Sequence, residues 1–257
     1  MTRRSFLKSL IALGFASVGV STYDTLNVEL KVVKVPLNLG IRIGILTDAH
    51  LHVWGPWERR LRSLIKEMSK SLDLVVVLGD MYDSATPDLG LLEDLISLEK
   101  PALGVLGNHE LWSDEQGPHR LSDGLKAYER AGVRVLRNEV THFRGVRIGG
   151  IDWLYSLKDP GSVISDIGEV DVLLSHTPDV VAYSPKAKLI LSGHTHGGQI
   201  CLPTGIPIFV PSRFGTRYAS GLHKVSSSYL YVSRGLGESY VLPMRTFCPR
   251  ELTIVEA

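Results

Sequence analysis

Five apolar runs of this 257-residue chain each stop at side chains able to bind metal ions. "IRIGILTDAH" ends at Asp48 and His50, "DLVVVLGD" at Asp80, "PALGVLGNH" at Asn108 and His109, "DVLLSH" at His176, and "AKLILSGHTH" at His194 and His196. Carboxylates and imidazoles buried without partners are costly, so five such endings read as one shared metal site. Imidazole, carboxylate and amide oxygen without thiolate suit manganese foremost, with iron, zinc, cobalt or nickel as alternatives, better than calcium. These are too many ligands for one tetrahedral ion. Two ions about 3.5 to 4 Å apart, bridged by a carboxylate and a hydroxide, is the arrangement used in phosphoester chemistry. A lone histidine is more often a satisfied polar group, which is the reading given to His119, His142 and His223, while His52 stays open.

Such residues need strands that end together. Apolar positions 57, 61, 64, 65 and 68 follow helical spacing, with Arg59, Arg60, Arg62, Lys66 and Lys70 on the other face, and a second helix is expected near Gly90 to Leu98. Strand and helix alternate through the first half, which predicts a largely parallel, helix-covered sheet. "VELKVVKV" alternates as an antiparallel strand, and "VTHFRGVRIGGI" as a hairpin turning at Arg-Gly. From Ile206 onward, short β segments ending in "ELTIVEA" are expected to complete a second sheet. The fold class expected is α/β, a four-layer αββα sandwich of two mixed β-sheets flanked by helices, with the metal site at strand C-terminal ends. His194 and His196, two apart on an extended strand end, should project to one side, with Gly197 and Gly198 allowing a tight turn.

The 28 basic and 27 acidic side chains nearly balance, so no long nucleic acid is expected as a partner. Cys201 and Cys248 form no CxxC pair and read as two unrelated thiols. The N-terminal "TRRSFLKSLIALGFASVGV" resembles a twin-arginine translocation signal, and its apolar stretch Leu10 to Val20 is shorter than the about 20 residues of an ordinary spanning helix. The expected organisation is a signal or membrane tether and linker over 1–27 ("STYDTLN" being the linker), followed by a catalytic domain over 28–257. The resemblance implies export by the twin-arginine machinery, with the protein outside the cytoplasmic membrane.

The motifs "DAH", "GDMYD", "GNHE", "SH" and "GHTH", in that order, resemble those of the calcineurin-like metallophosphoesterases. The resemblance implies that Asp48, His50 and His196 hold one metal, that Asn108, His176 and His194 hold the other, and that Asp80 bridges them. It implies a hydrolysis by a metal-bridging hydroxide in which His109 stabilises the phosphoryl charge or protonates the leaving oxygen, with Asp83 orienting His109. Protein phosphatases of this superfamily usually place Arg-Gly where this chain has Ser84 and Ala85, which disfavours that branch. "GHTHGGQICLP", "LYVSRGLGESYVLPMR" and "CPREL" instead resemble a branch of exported or membrane-associated phosphodiesterases that includes enzymes acting on lipid-linked phosphates such as UDP-diacylglucosamine.

The expected activity is therefore dinuclear hydrolysis of a phosphoester or pyrophosphate bond in a small or lipid-linked substrate at a membrane surface. An extracytoplasmic nucleotide phosphodiesterase or nuclease, and a non-catalytic metal-binding envelope protein, are the alternatives. Trp54 and Trp112 follow the first and third motifs and are candidates for lipid contact, whereas Trp57 fits the helical core stripe. Arg59, Arg60 and Arg62 read as a solvated face or a contact for anionic head groups, and Arg234 as a phosphate contact or a structural residue.

Overall fold

The computed structural model describes Gly19 and residues 21–239 and 243–257; the rest of the twin-arginine-like segment lies outside the described residues. Among the described residues, twelve strands are distributed over two six-stranded sheets. The first contains β1 (Val28–Lys34), β2 (Arg42–Leu46), β3 (Leu74–Val77), β4 (Ala102–Gly104), β5 (Val133–Val135) and β12 (Arg250–Glu256), in the order β1-β12-β2-β3-β4-β5. The second contains β6 (Glu139–Phe143), β7 (Val146–Gly150), β8 (Val170–Leu174), β9 (Ala187–Ser192), β10 (Gly221–Val225) and β11 (Ser228–Val232), in the order β10-β11-β9-β8-β7-β6. Helices α1 (Pro56–Ser69), α2 (Gly90–Ile96), α3 (Asn108–Gln116) and α4 (Leu121–Arg130) connect the strands of the first sheet, and α5 (Pro160–Ile167) follows β7.

Three apolar layers hold these elements together. Because successive strand residues face opposite ways, each buried strand feeds two cores. Ile43 and Ile45 of β2, Leu74 and Val76 of β3, and Leu189 and Leu191 of β9 fill the space between the sheets. Val75 and Val77 face the helices and meet Leu61, Ile65 and Met68 of α1, Leu92 and Leu95 of α2, and Ala127 and Tyr128 of α4. On the far side, Leu173 and Ile190 meet Ile164 and Ile167 of α5 and Val180 of a 3-10 turn, Pro178–Tyr183. This is the expected αββα sandwich of mixed sheets.

Several local expectations change. β1 pairs parallel with β12, where its alternation suggested an antiparallel strand. "ELTIVEA" does not extend the second sheet; it enters the first, between β1 and β2, antiparallel to β2. Its burial explains the placement: Leu252 and Ile254 face the helices, Val255 faces the other sheet, and only a position covered on both sides accommodates that. "STYDTLN" is no free linker. Residues 21–26 are helical, and buried Asp24 accepts a hydrogen bond from Cys248 N at 3.1 Å. The Arg144-Gly145 hairpin between β6 and β7 forms as expected.

Leu189 is fully buried at the centre of the layer between the sheets. Leu189→Ala is expected to destabilise the protein by about 2–5 kcal/mol in urea denaturation with the m-value retained. A loss within the roughly 0.5 kcal/mol typical of surface positions would contradict this packing.

Candidate metal centre

The five motifs sit just beyond five strands, β2, β3 and β4 running parallel to one another in one sheet and β8 and β9 parallel in the other. Backbone and side-chain bonds sew these ends across the seam between the sheets. His194 N donates to both oxygens of Asp48 at 3.0 Å, and His176 Nδ1 donates to the Leu78 carbonyl at 2.6 Å. Ligand atoms of Asp48, His50 and His196 lie within 4.8 Å of one another; so do those of Asp80, His176 and His194, and those of His50, Asp80 and His109. Asn108 and His109 line the same cavity as Asp80, His194 and His196.

The donor set fits cations. His50, His176 and His196 each have one nitrogen occupied and the other left for the site, the usual way a protein orients a ligating histidine. His50 Nδ1 bonds Asp83 Oδ2 at 2.9 Å, His176 Nδ1 bonds Leu78 O, and His196 Nδ1 bonds Gly237 O at 3.3 Å. His194 Nδ1 and His176 Nε2 face each other at 3.1 Å. Among the described residues, buried His50 Nε2 and Asn108 Oδ1 find no hydrogen-bond partner, one in each half of the cluster. An orphaned buried polar atom is costly, and a cation beside each would satisfy it.

The loops that present these groups are strained. Asp48, His50, Asp80, His194 and His196 all have left-handed backbones, with φ of 53°, 44°, 52°, 72° and 50°. This corrects the extended geometry expected for "GHTH": β9 ends at Ser192, and the two imidazoles converge through a left-handed bend rather than through strand alternation. Gly197 is required behind them, since at φ 64° its Cβ would meet Arg234 Cγ at 2.7 Å and Cys248 Sγ at 2.8 Å. Gly107 lets the Asn108 loop approach Asp80, whose Oδ1 would lie 2.2 Å from a Cβ there.

Asp83 takes a different position from the one expected. Its Oδ2 accepts from His50 Nδ1 and from His52 Nε2 at 2.9 and 2.8 Å, so it orients His50 and His52 rather than His109. His109 is held instead by its backbone N on Asp80 Oδ1 at 2.8 Å and by ring contacts with His50 and Trp112, at 4.7 and 5.0 Å between centroids. Arg234 fits the structural alternative, pairing with Glu251 at 2.8 Å and with Glu29. Trp54 packs against the helix-side core, as Trp57 does, while Trp112 stays 46% exposed at the cavity mouth. His119 and His223 bond backbone carbonyls and His142 is exposed, as their ordinary reading requires. Cys201 and Cys248 are free but not unrelated: both thiols reach the Gly197 carbonyl, at 3.4 and 3.5 Å.

Three supporting residues carry little signal of their own in the sequence. Buried Glu110 accepts from Asp80 N, Met81 N and Gly107 N at 2.9 Å each and from Tyr128 OH at 2.8 Å, pinning the second motif loop to the third. Its place closing "GNHE" is the one clue to it. Trp153 packs its ring 4.9 Å from His194 and 5.6 Å from His176. Arg245, fully buried, donates to the carbonyls of Gly237 at 2.6 Å, Arg234 at 2.7 Å and His196 at 3.2 Å.

Electrostatics follow from burial and crowding. Burial would raise Asp80, but the charges of His176, His109 and His50 hold it well below the usual carboxylate range. Burial would lower His176, but Asp80 at 3.0 Å and Asp48 push it up to about 9. Burial and the His176 charge lower His194 to about 3, and burial with His50 and Arg245 keeps His196 well below its ordinary value. Below pH 9 a cation must therefore displace a proton from His176 Nε2, so affinity should rise with pH, about tenfold per unit from this group, and level off near 9. Manganese affinity measured by chelator competition at several pH values from 6.5 to 9.5 checks this, and a flat profile would refute it.

Comparison with known proteins agrees with this geometry. The model of the calcineurin-like phosphoesterase family matches residues 41–198. A metallophosphoesterase of Bacillus subtilis, YkuE, is 30% identical over 99% of this chain and 96% of its own. A "Transmembrane protein with metallophosphoesterase domain" of Danio rerio is 31% identical over 97% of this chain, which spans only 62% of that longer protein. Phosphodiesterase YaeI of Escherichia coli is 28% identical over 84% of this chain and 81% of its own. The chain belongs to the calcineurin-like phosphoesterase family and is a metal-dependent phosphoesterase.

Proposed function

We propose that the protein is a dinuclear phosphodiesterase, manganese-loaded and exported, that hydrolyses a phosphoester or pyrophosphate bond in a substrate with an apolar portion, such as a lipid-linked phosphate. The observation that carries the reading is that His50, His176 and His196 are each held through Nδ1 with Nε2 left for the site, together with the orphaned His50 Nε2 and Asn108 Oδ1. In this reading Asp48, His50 and His196 hold one ion, Asn108, His176 and His194 the other, and Asp80 serves both. When bound, the two ions offset phosphate charge and supply an activated water at neutral pH.

The chain's own groups do the rest. Asp83 and the Leu78 and Gly237 carbonyls fix the ligand rings, so little reorganisation is needed during the reaction. His109 lines the cavity beside Asp80, anchored through its backbone N on Asp80 Oδ1, a position that suits a donor to the leaving oxygen. Its pKa is lowered, chiefly by burial, and an arriving phosphate anion would raise it again and load the proton it donates. A cavity of about 370 Å³ opens over these residues, with Trp112, Phe209 and Pro211 as an apolar wall. That wall supports an acyl- or ring-bearing substrate, and the open cavity disfavours a closed, purely structural metal site.

Export is supported by the twin-arginine-like "TRRSFLK", and membrane association by the name of the Danio rerio relative. No helix among the described residues is long and apolar enough to cross a membrane. Replacing Arg3 and Arg4 with Lys is expected to leave the protein inside cells that carry the pathway; unchanged export would remove this part of the proposal.

Asp80→Ala should lose both metals and all hydrolysis of bis-p-nitrophenyl phosphate, whereas His194→Ala and His196→Ala should each lose a different ion by elemental analysis. His109→Ala should keep both metals while kcat falls about 10²- to 10⁴-fold. Full activity in Asp80→Ala and His109→Ala would overturn the assignment. A panel comparing a lipid-linked pyrophosphate with a nucleotide diester separates the substrate classes.

A further inference from the structure

A loop at the cavity mouth is built unlike the rest of the surface. From Gln199 to Ser212 the chain contains no charged side chain. Leu202, Ile206, Ile208 and Phe209 are 47%, 56%, 65% and 72% exposed. Contiguous exposed apolar side chains of this kind mark interaction sites on soluble domains. The loop is also ordered by its backbone: Leu202 N donates to Ile206 O at 2.8 Å, Ile208 N to Ile200 O at 3.1 Å, and Cys201 N to Thr246 O at 2.9 Å. Its far end forms part of the cavity wall through Phe209 and Pro211.

Two further features say what covers it. Exposed Arg213 and Arg217 follow directly, which places cations at the rim of an apolar tip, the pattern suited to anionic lipid head groups. The strand-like segment bridged to the loop carries exposed Met244, and its Arg245 N and Cys248 N bond Thr25 and Asp24. The start of the described chain therefore lies against the same ladder, and the apolar sequence Leu10 to Val20 immediately precedes it.

We propose that loop 199–212 inserts its apolar tip into an anionic bilayer surface, with Arg213 and Arg217 at the head groups and the mouth of the metal cavity facing the lipid. This deepens the proposed function by naming the partner of the site, and it rests on that reading for the orientation toward substrate. Insertion at the interface needs only a few buried apolar side chains plus electrostatic attraction, and a sequence-adjacent apolar anchor would supply the second signal for stable binding.

The test uses the 257-residue chain with Ile206→Cys carrying an environment-sensitive fluorophore, the native cysteines being buried. With vesicles of phosphatidylglycerol and phosphatidylcholine the label should shift to the blue and be quenched by spin-labelled lipid. Ile206→Ser/Ile208→Ser should weaken sedimentation with vesicles about tenfold while soluble diester hydrolysis is retained. Arg213→Glu/Arg217→Glu should abolish the preference for anionic over neutral vesicles. A label that stays water-quenched while the protein co-sediments would overturn the proposal. So would a blue shift that appears without vesicles as protein concentration rises, which identifies a second copy as the occupant. Loop insertion without metal-dependent hydrolysis would instead overturn the functional reading and leave the docking surface standing.

Discussion

Two buried carboxylates govern the architecture. Asp48 and Asp80 are 0% and 1% exposed, and an ionised carboxylate in such a place persists only when surrounded by donors and cations. Asp80 draws on His109 N and His176; Asp48 draws on Thr47 Oγ1 at 2.7 Å and on His194 N. These partners come from both sheets. The sandwich cannot shear along its seam without leaving one carboxylate unmet, so the electrostatics of the site and the packing of the fold reinforce each other.

Holding candidate ligands from five strand ends within one small volume requires backbone that extended or helical geometry does not supply. The left-handed conformations at Asp48, His50, Asp80, His194 and His196 are the consequence, each unfavourable for a residue with a side chain. The surroundings over-determine them. Glu110 ties the Asp80 loop to Gly107 through three accepted hydrogen bonds and to Tyr128 through a fourth, and Arg245 gathers four carbonyls around the His196 loop. The Cys201 and Cys248 thiols complete that packing beneath Gly197. Strain at the ligands is thus held by side chains with no direct part in chemistry.

Above this polar floor the walls change character. Trp112 on α3 and Phe209 on the loop after β9 face the same cavity as His109, so a charged phosphate and an apolar group can be met within one cleft. An apolar wall also excludes water from the leaving-group side, where a histidine donor is most useful.

The sequence by itself determined the candidate ligand set and the layer order. Apolar runs ending in Asp, Asn or His are legible because a strand buried on both faces is continuous in hydrophobicity and its end is where polarity must return. Alternation likewise exposed the β6–β7 hairpin, and helical spacing exposed α1. What only the tertiary structure decided were partners far apart in the chain. Asp83 lies three residues beyond Asp80, yet its acceptor role goes to His50 and His52, more than thirty positions away. "ELTIVEA" carries the pattern of any buried strand, and only the vacancy between β1 and β2 set its sheet and direction. Arg234 stands beside a glycine turn as a phosphate contact would, but the Glu29 and Glu251 carboxylates claim it first. Local pattern specifies which faces are buried and where strands stop; hydrogen-bond and charge partners depend on which ends the fold brings together, and single-chain spacing holds no record of that.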